Sequence, residues 1–161
     1  MRLSLSIVPI LFAFTSSAWG VERIVSMNQC ADELLLNIVP VDKIKSVTNF
    51  VKDPAVSWDA HRARNIPGNA GRAEEVMRHS PDVVFAGDFS ARSTVNLLRS
   101  LGVRVVELAH PSSVEDVLAL IRQVGIETGY EERAEALINT LNLPVMPDHP
   151  TLDAAVYQPN G

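Results

Sequence analysis

Seven residues carry most of the chemistry this sequence offers: Asn28, Gln29, Phe50, Trp58, Asp88, Phe89 and His110. They combine two amides, three aromatic rings, one carboxylate and one imidazole. That mixture suits a concave site that grips a bulky organic ligand through apolar surface and a few polar contacts. It suits catalysis less well. The chain has no Gly-x-Ser-x-Gly elbow, no Walker loop and no Gly-x-Gly-x-x-Gly turn. A small hydrolytic centre built from Asp88, His110 and a serine is the enzymatic alternative. The four histidines, His61, His79, His110 and His149, lack the close spacings of zinc sites. Only His61 and His110 are placed to reach one cleft, so no resident metal and no cofactor are expected.

Each residue also has a plainer role. Asn28 is as good a helix cap as a ligand contact. Phe50 and Trp58 could pack beneath the long loop that carries them. Asp88, after a glycine, could simply open a helix, and His110 could be an ordinary loop histidine. Arg62 and Arg92 could pair with a ligand carboxylate or stay solvated.

The elements that must position these residues alternate along the chain. Arg23 to Met27 reads as a buried strand, followed by a helix with apolar spacing from Ala31 to Ile38. Ile44 to Thr48 is β-rich. Glu74 to His79 reads as a helix that stops before Pro81. Asp82 to Ala86 is the clearest buried strand, and a helix from Ser90 to Leu101 follows it, closed by Gly102. Val103 to Leu108 is another strand. Ser112-x-x-Glu115 then reads as a capping box for a helix reaching Val124, and Tyr130 to about Leu141 reads as a last helix. Strand and helix in alternation, with continuously apolar strands, predict an α/β fold: an open parallel sheet with helices on both faces. Ligands of such sheets bind outside the carboxyl ends of the strands. The candidate residues follow those ends.

The first twenty residues predict export. Met1-Arg2 gives a positive start, Leu3 to Phe14 an apolar centre, and Thr15 to Gly20 a small-residue exit, with cleavage expected after Gly20. An apolar run of about a dozen residues falls short of the roughly 20 needed to span a bilayer. Val21 stands where a lipoprotein would carry a cysteine. Loss of Arg2 with the signal would take the formal charge from −5 to −6, and no basic cluster suggests nucleic acid. The single cysteine, Cys30, cannot form an intramolecular disulfide and is expected to be buried. Pro144, Pro147 and Pro150 mark a linker, after which Asp153 to Tyr157 opens a further strand.

Taken in order, several segments resemble the bacterial solute-binding proteins for cobalamin, haem and iron-siderophore complexes. They are Arg23-Ile24-Val25-Ser26, Ala31-Asp32-Glu33-Leu34-Leu35, Gly71-Arg72-Ala73-Glu74-Glu75-Val76, Ser80-Pro81-Asp82-Val83-Val84, Leu101-Gly102-Val103-Arg104-Val105-Val106 and Val156-Tyr157-Gln158-Pro159-Asn160-Gly161. The resemblance implies a monomeric periplasmic protein, not an enzyme, with two lobes joined by one helix and the ligand held between them. It divides the chain into a signal (1–20), an N-terminal binding lobe (21–129), a connecting helix and linker (130–150), and the truncated start of a second lobe (151–161). It also implies an inner-membrane ABC permease as partner, docked through Glu74. Pro144 and Pro147 depart from the resemblance by interrupting the connector.

Overall fold

The computed structural model describes residues 20–141. The expected signal up to Trp19, the proline-rich linker and the 151–161 run lie outside the described residues. Five strands form one wholly parallel sheet: β1 (Ile24–Ser26), β2 (Ile44–Thr48), β3 (Gly68–Asn69), β4 (Val83–Gly87) and β5 (Val105–Leu108), in the order β3-β2-β1-β4-β5. The helices are α1 (Gln29–Ile38), α2 (Ala60–Ala63), α3 (Ala73–Met77), α4 (Arg92–Ser100), α5 (Val114–Thr128) and α6 (Glu131–Thr140). The expected α/β sheet is therefore present, with its helices on both faces.

Side-chain alternation along the strands decides which helix covers which face. Ile24, Val83, Phe85, Val106 and Leu108 point to the side occupied by α1, α5 and α6. Val25 and Val84 point to the side of α3 and α4, where they meet Ala73, Val76 and Leu98. Full burial of a side chain such as Phe85 or Leu35 contributes about 1.5–3 kcal/mol. The two cores together hold the strand ends in place.

Local differences from the sequence reading have local causes. The capping box of α5 is Ser113 with Asp116, one residue beyond the expected pair, and Asp116 also accepts from the Ser112 amide and hydroxyl. Those bonds hold the Asp116 carboxyl below the usual range. Val124 does not end that helix; it runs on to Thr128 and stops at Gly129, whose φ of 78° is left-handed. The loop after β2 contains two elements that the sequence left unread, α2 and β3. Cys30 is exposed, contrary to expectation, because it sits on the first turn of α1 beside an open crevice at the ends of β4 and β5.

The helix expected to act as a connector, α6, packs Ala134, Leu137 and Ile138 into the larger core. Its approach to α5 needs a glycine: a Cβ at Gly125 would lie 2.6 Å from the Ala134 Cβ and 3.2 Å from the Glu131 Cα. Two effects therefore compete in Gly125→Ala. Helix propensity favours it by about 1 kcal/mol, and overpacking opposes it by about 1–3 kcal/mol. We expect a lower urea midpoint in Gly125→Ala than in the parent chain. An equal or higher midpoint would mean that α6 can back away at no cost.

Candidate functional site

The strand order reverses between β1 and β4: α1 leaves β1 toward one face and α4 leaves β4 toward the other. The residues after these two strands, Asn28 and Asp88-Phe89, therefore flank the crevice that such a reversal opens. The Asn28 Oδ1 accepts from the Ala31 amide at 2.9 Å and caps α1. Its Nδ2 lies against Gly87, where any Cβ would be 2.2 Å away. Asn28 is thus a cap, and it also lines the crevice. Asp88 ties the two loops together, because its Oδ2 accepts from the His110 backbone amide at 2.9 Å. Phe89 and His110 meet edge to face, with ring centroids 6.0 Å apart. Cys30, Asp88, Phe89 and His110 all border this narrow crevice.

A wider depression of about 270 Å³ adjoins it, between the ends of β1, β2 and β3. Phe50 and Phe89 stand at its rim with 67% and 86% of their surface exposed. Neither is packed beneath a loop. Gln29, Met27, Thr48 and Asn69 line it between them. Its floor is buried and polar. The Asn69 amide donates to the Ser26 carbonyl, the Ser46 hydroxyl and the Val47 carbonyl at 2.8–3.0 Å. Asp32, with no exposed surface, accepts from the Thr48 amide at 3.1 Å and the Thr48 hydroxyl at 2.5 Å. Burial pushes the Asp32 carboxyl up from 3.8 to about 6, against the opposing pull of its hydrogen bonds.

The 53–66 loop is anchored to α1 by polar contacts. Gln29 Nε2 donates to the Val56 carbonyl at 3.2 Å, Ser57 bonds Glu33, and Asn37 bonds Asp59 at 2.6 Å. Arg62 donates to the Asn37 side chain at 2.9 Å and neighbours Asp59 at 3.5 Å. It is therefore a structural strut. Arg92 is likewise engaged, with Glu107 at 2.6 Å. Trp58 is 93% exposed on this loop and lines neither depression. His61 is exposed on α2. Glu74 is exposed in the first turn of α3, beside a separate depression between α3 and α4.

Sequence reasoning missed the roles of Asp32, Thr48 and Met27. The signal for Asp32 was present: one residue apart on a helix, Asp32 and Glu33 must face different ways. Asp32 turns to the sheet and Glu33 to the loop. Among the described residues, no three His, Cys, Asp or Glu side chains converge so as to hold a metal ion. The hydrolytic alternative finds no support, since Asp88 holds the backbone amide of His110.

A parallel α/β lobe with its open face at a reversal of strand order is the architecture of a ligand-binding lobe. The model of the periplasmic binding protein family matches residues 24–145, and the chain belongs to that family. A periplasmic heme-binding protein from Pseudomonas aeruginosa shares its fold with a TM-score of 0.60 at 22% identity, over 72% of this chain and 41% of that one. The apo heme-binding protein RhuT from Roseiflexus sp. gives 0.63 at 24%, over 74% and 46%. The vitamin B12-binding protein BtuF of Vibrio cholerae gives 0.60 at 17%, over 74% and 46%. The chain thus spans less than half the length of these three structures. No curated protein matches it.

The raised value at Asp32 makes stability depend on pH. Its folded value lies above the ordinary one, so its contribution is complete below about pH 4 and is lost as pH rises through about 6. Relative to Asp32→Asn, the parent chain should lose roughly 2 kcal/mol of unfolding free energy between pH 4 and pH 7. Urea unfolding of both at several pH values checks this. Parallel profiles would show that burial does not strain this carboxyl.

Proposed function

We propose that this chain is the N-terminal lobe of a periplasmic substrate-binding component of an ABC importer, capturing a metal-chelate ligand of the cobalamin, haem or ferric-siderophore type. The observation that carries the reading is the pair of exposed rings, Phe50 and Phe89, standing across one groove at the carboxyl ends of parallel strands. Flat aromatic surface left in water at the rim of a preformed groove is what a large, partly apolar ligand would cover. Family membership supports the same reading.

In this proposal Phe50, Phe89, Asn28 and Gln29 meet the ligand directly, and His110 and Asp88 border it beyond Phe89. Trp58, on the adjoining loop and outside the groove, would be met only by a ligand large enough to extend past it. Glu74 lies away from this groove, exposed and close to Arg72 and Leu97. That position suits docking to arginines of an inner-membrane permease. The lobe acts as a monomer in the periplasm after removal of its signal. Its mechanism is capture and delivery, with no covalent step.

Equilibrium dialysis against cyanocobalamin, haemin and ferric enterobactin tests the proposal, with Trp58 fluorescence as a second readout. One ligand should bind saturably, and Phe50→Ala and Phe89→Ala should each weaken it about tenfold, equivalent to ~1.4 kcal/mol. Binding by none of the three would overturn the reading. Binding unaffected by either substitution would move the site elsewhere.

A further inference from the structure

The groove between Phe50 and Phe89 is unusual in its electrostatics. Among the described residues, the side chains that line it include amides, hydroxyls, a thioether and two phenyl rings, but none that is charged. Three of the cations around it are engaged elsewhere. Lys52 donates its ammonium to the Ile66 carbonyl at 2.7 Å. Arg62 braces Asn37 and Asp59, and Arg92 pairs with Glu107. Arg72 follows the groove residue Gly71 but borders the α3–α4 depression, and its charge acts on Glu75. Acids stand near the groove as well: Asp32 beneath Thr48, Asp88 next to Phe89, and Glu75, which accepts from the amide of the groove residue Ala70. His110 lies beyond Phe89, in the neighbouring crevice.

An anionic ligand would have to shed water here without gaining a cation. Burying a carboxylate without a charge partner or full hydrogen bonding is costly. The polar groups that do face the groove come as donors and acceptors together. With its Oδ1 occupied in the cap, Asn28 has Nδ2 to give as a donor. With its Nε2 on Val56, Gln29 has Oε1 to give as an acceptor. A carboxamide answers both needs, whereas a carboxylate can only accept.

Building on the ligand-binding function proposed above, we infer that this groove selects a ligand face that is uncharged and bears carboxamides, and discriminates against carboxylate-bearing or otherwise anionic faces. A macrocycle fringed with primary amides fits this description. A porphyrin presenting its carboxylates to the groove does not, nor does a multiply anionic ferric chelate.

A matched ligand pair tests the inference on the full chain. Dicyanocobinamide carries amides around a corrin ring, and dicyanocobyrinic acid carries carboxylates in their place. The amide form should bind at least about tenfold more tightly, and its affinity should change less than about twofold between low and moderate salt, as expected where no ion pair forms. Gln29→Lys, which puts an ammonium on the groove wall, should narrow the preference by about fivefold or more. Equal affinities, or tighter binding of the acid, would overturn the inference. So would a preference that Gln29→Lys leaves unchanged, because selection would then lie outside this groove. Binding of haemin or ferric enterobactin without either corrinoid would sink the inference and leave the binding function standing. Binding of no probe at all would overturn both.

Discussion

β1 presents Ile24, Val25 and Ser26 with no exposed surface and pairs in parallel on both sides, with β2 and with β4. A strand buried on both faces and both edges has no freedom to shift, since a slip of one residue would exchange its two faces. Ile24 belongs to the core beneath α1, and Val25 to the core beneath α4. The chain must therefore turn one way after β1 and the opposite way after β4. The crevice between Asn28 and Phe89 is the gap left by that divergence. Gly87 is the residue that allows it to close so far, because Asn28 occupies the space of a Cβ there.

The floor of the groove follows from the same arrangement. Ser26, Thr48 and Asn69 are buried at the carboxyl ends of β1 to β3, with Ser46 of β2 and Asp32 of α1 buried beside them. Polar groups buried without partners would be destabilising, yet among the described residues no buried side-chain polar atom lacks one. Asn69 alone joins three acceptors from β1 and β2, and its Oδ1 accepts from the Gly71 amide. Asp32 fastens the start of α1 to the end of β2. A satisfied network of this kind fixes geometry more than it adds stability. Burial pushes the Asp32 carboxyl up, so a charge there is disfavoured even though the network bonds it.

The sheet was legible because β1 and β4 are short, mostly apolar runs and β2 and β5 are rich in β-branched residues. Ile44 to Thr48 matched β2 residue for residue, and β1, β4 and β5 differ by one or two residues at their ends. A two-residue strand such as Gly68–Asn69 leaves no periodic signal; it exists because Val47 and Thr48 offer it a ladder. The misplaced capping box at α5 has a similar cause. Ser112 and Ser113 are adjacent, Glu115 and Asp116 are adjacent, and only three-dimensional geometry chooses the pair that closes. Cys30 misled because burial statistics say nothing about which way the first turn of a helix faces. In the site, the strand-end rule led to Asn28, Phe50 and Phe89, which the structure places around one groove. It could not distinguish Arg62, a strut, from a ligand partner, because that depends on Asn37 one helix away.

Rigidity beneath and exposure above are two aspects of one design. Phe50 and Phe89 leave most of their surface in water, which the chain could have avoided by folding its loops over them. Instead, the Phe50 turn is held by hydrogen bonds of the Asn49 amide to the Asn69 carbonyl and of the Asp53 amide to the Phe50 carbonyl. Phe89 is fixed between the Asp88–His110 tie and the Ser90 hydroxyl, which accepts from the Gly87 amide. Backbone held in this way has little conformational freedom left to lose when something covers the rings, so more of the contact energy appears as affinity. A partner that buries them gains apolar area at each ring without first having to order a loop. On the proposed function, that partner is the ligand.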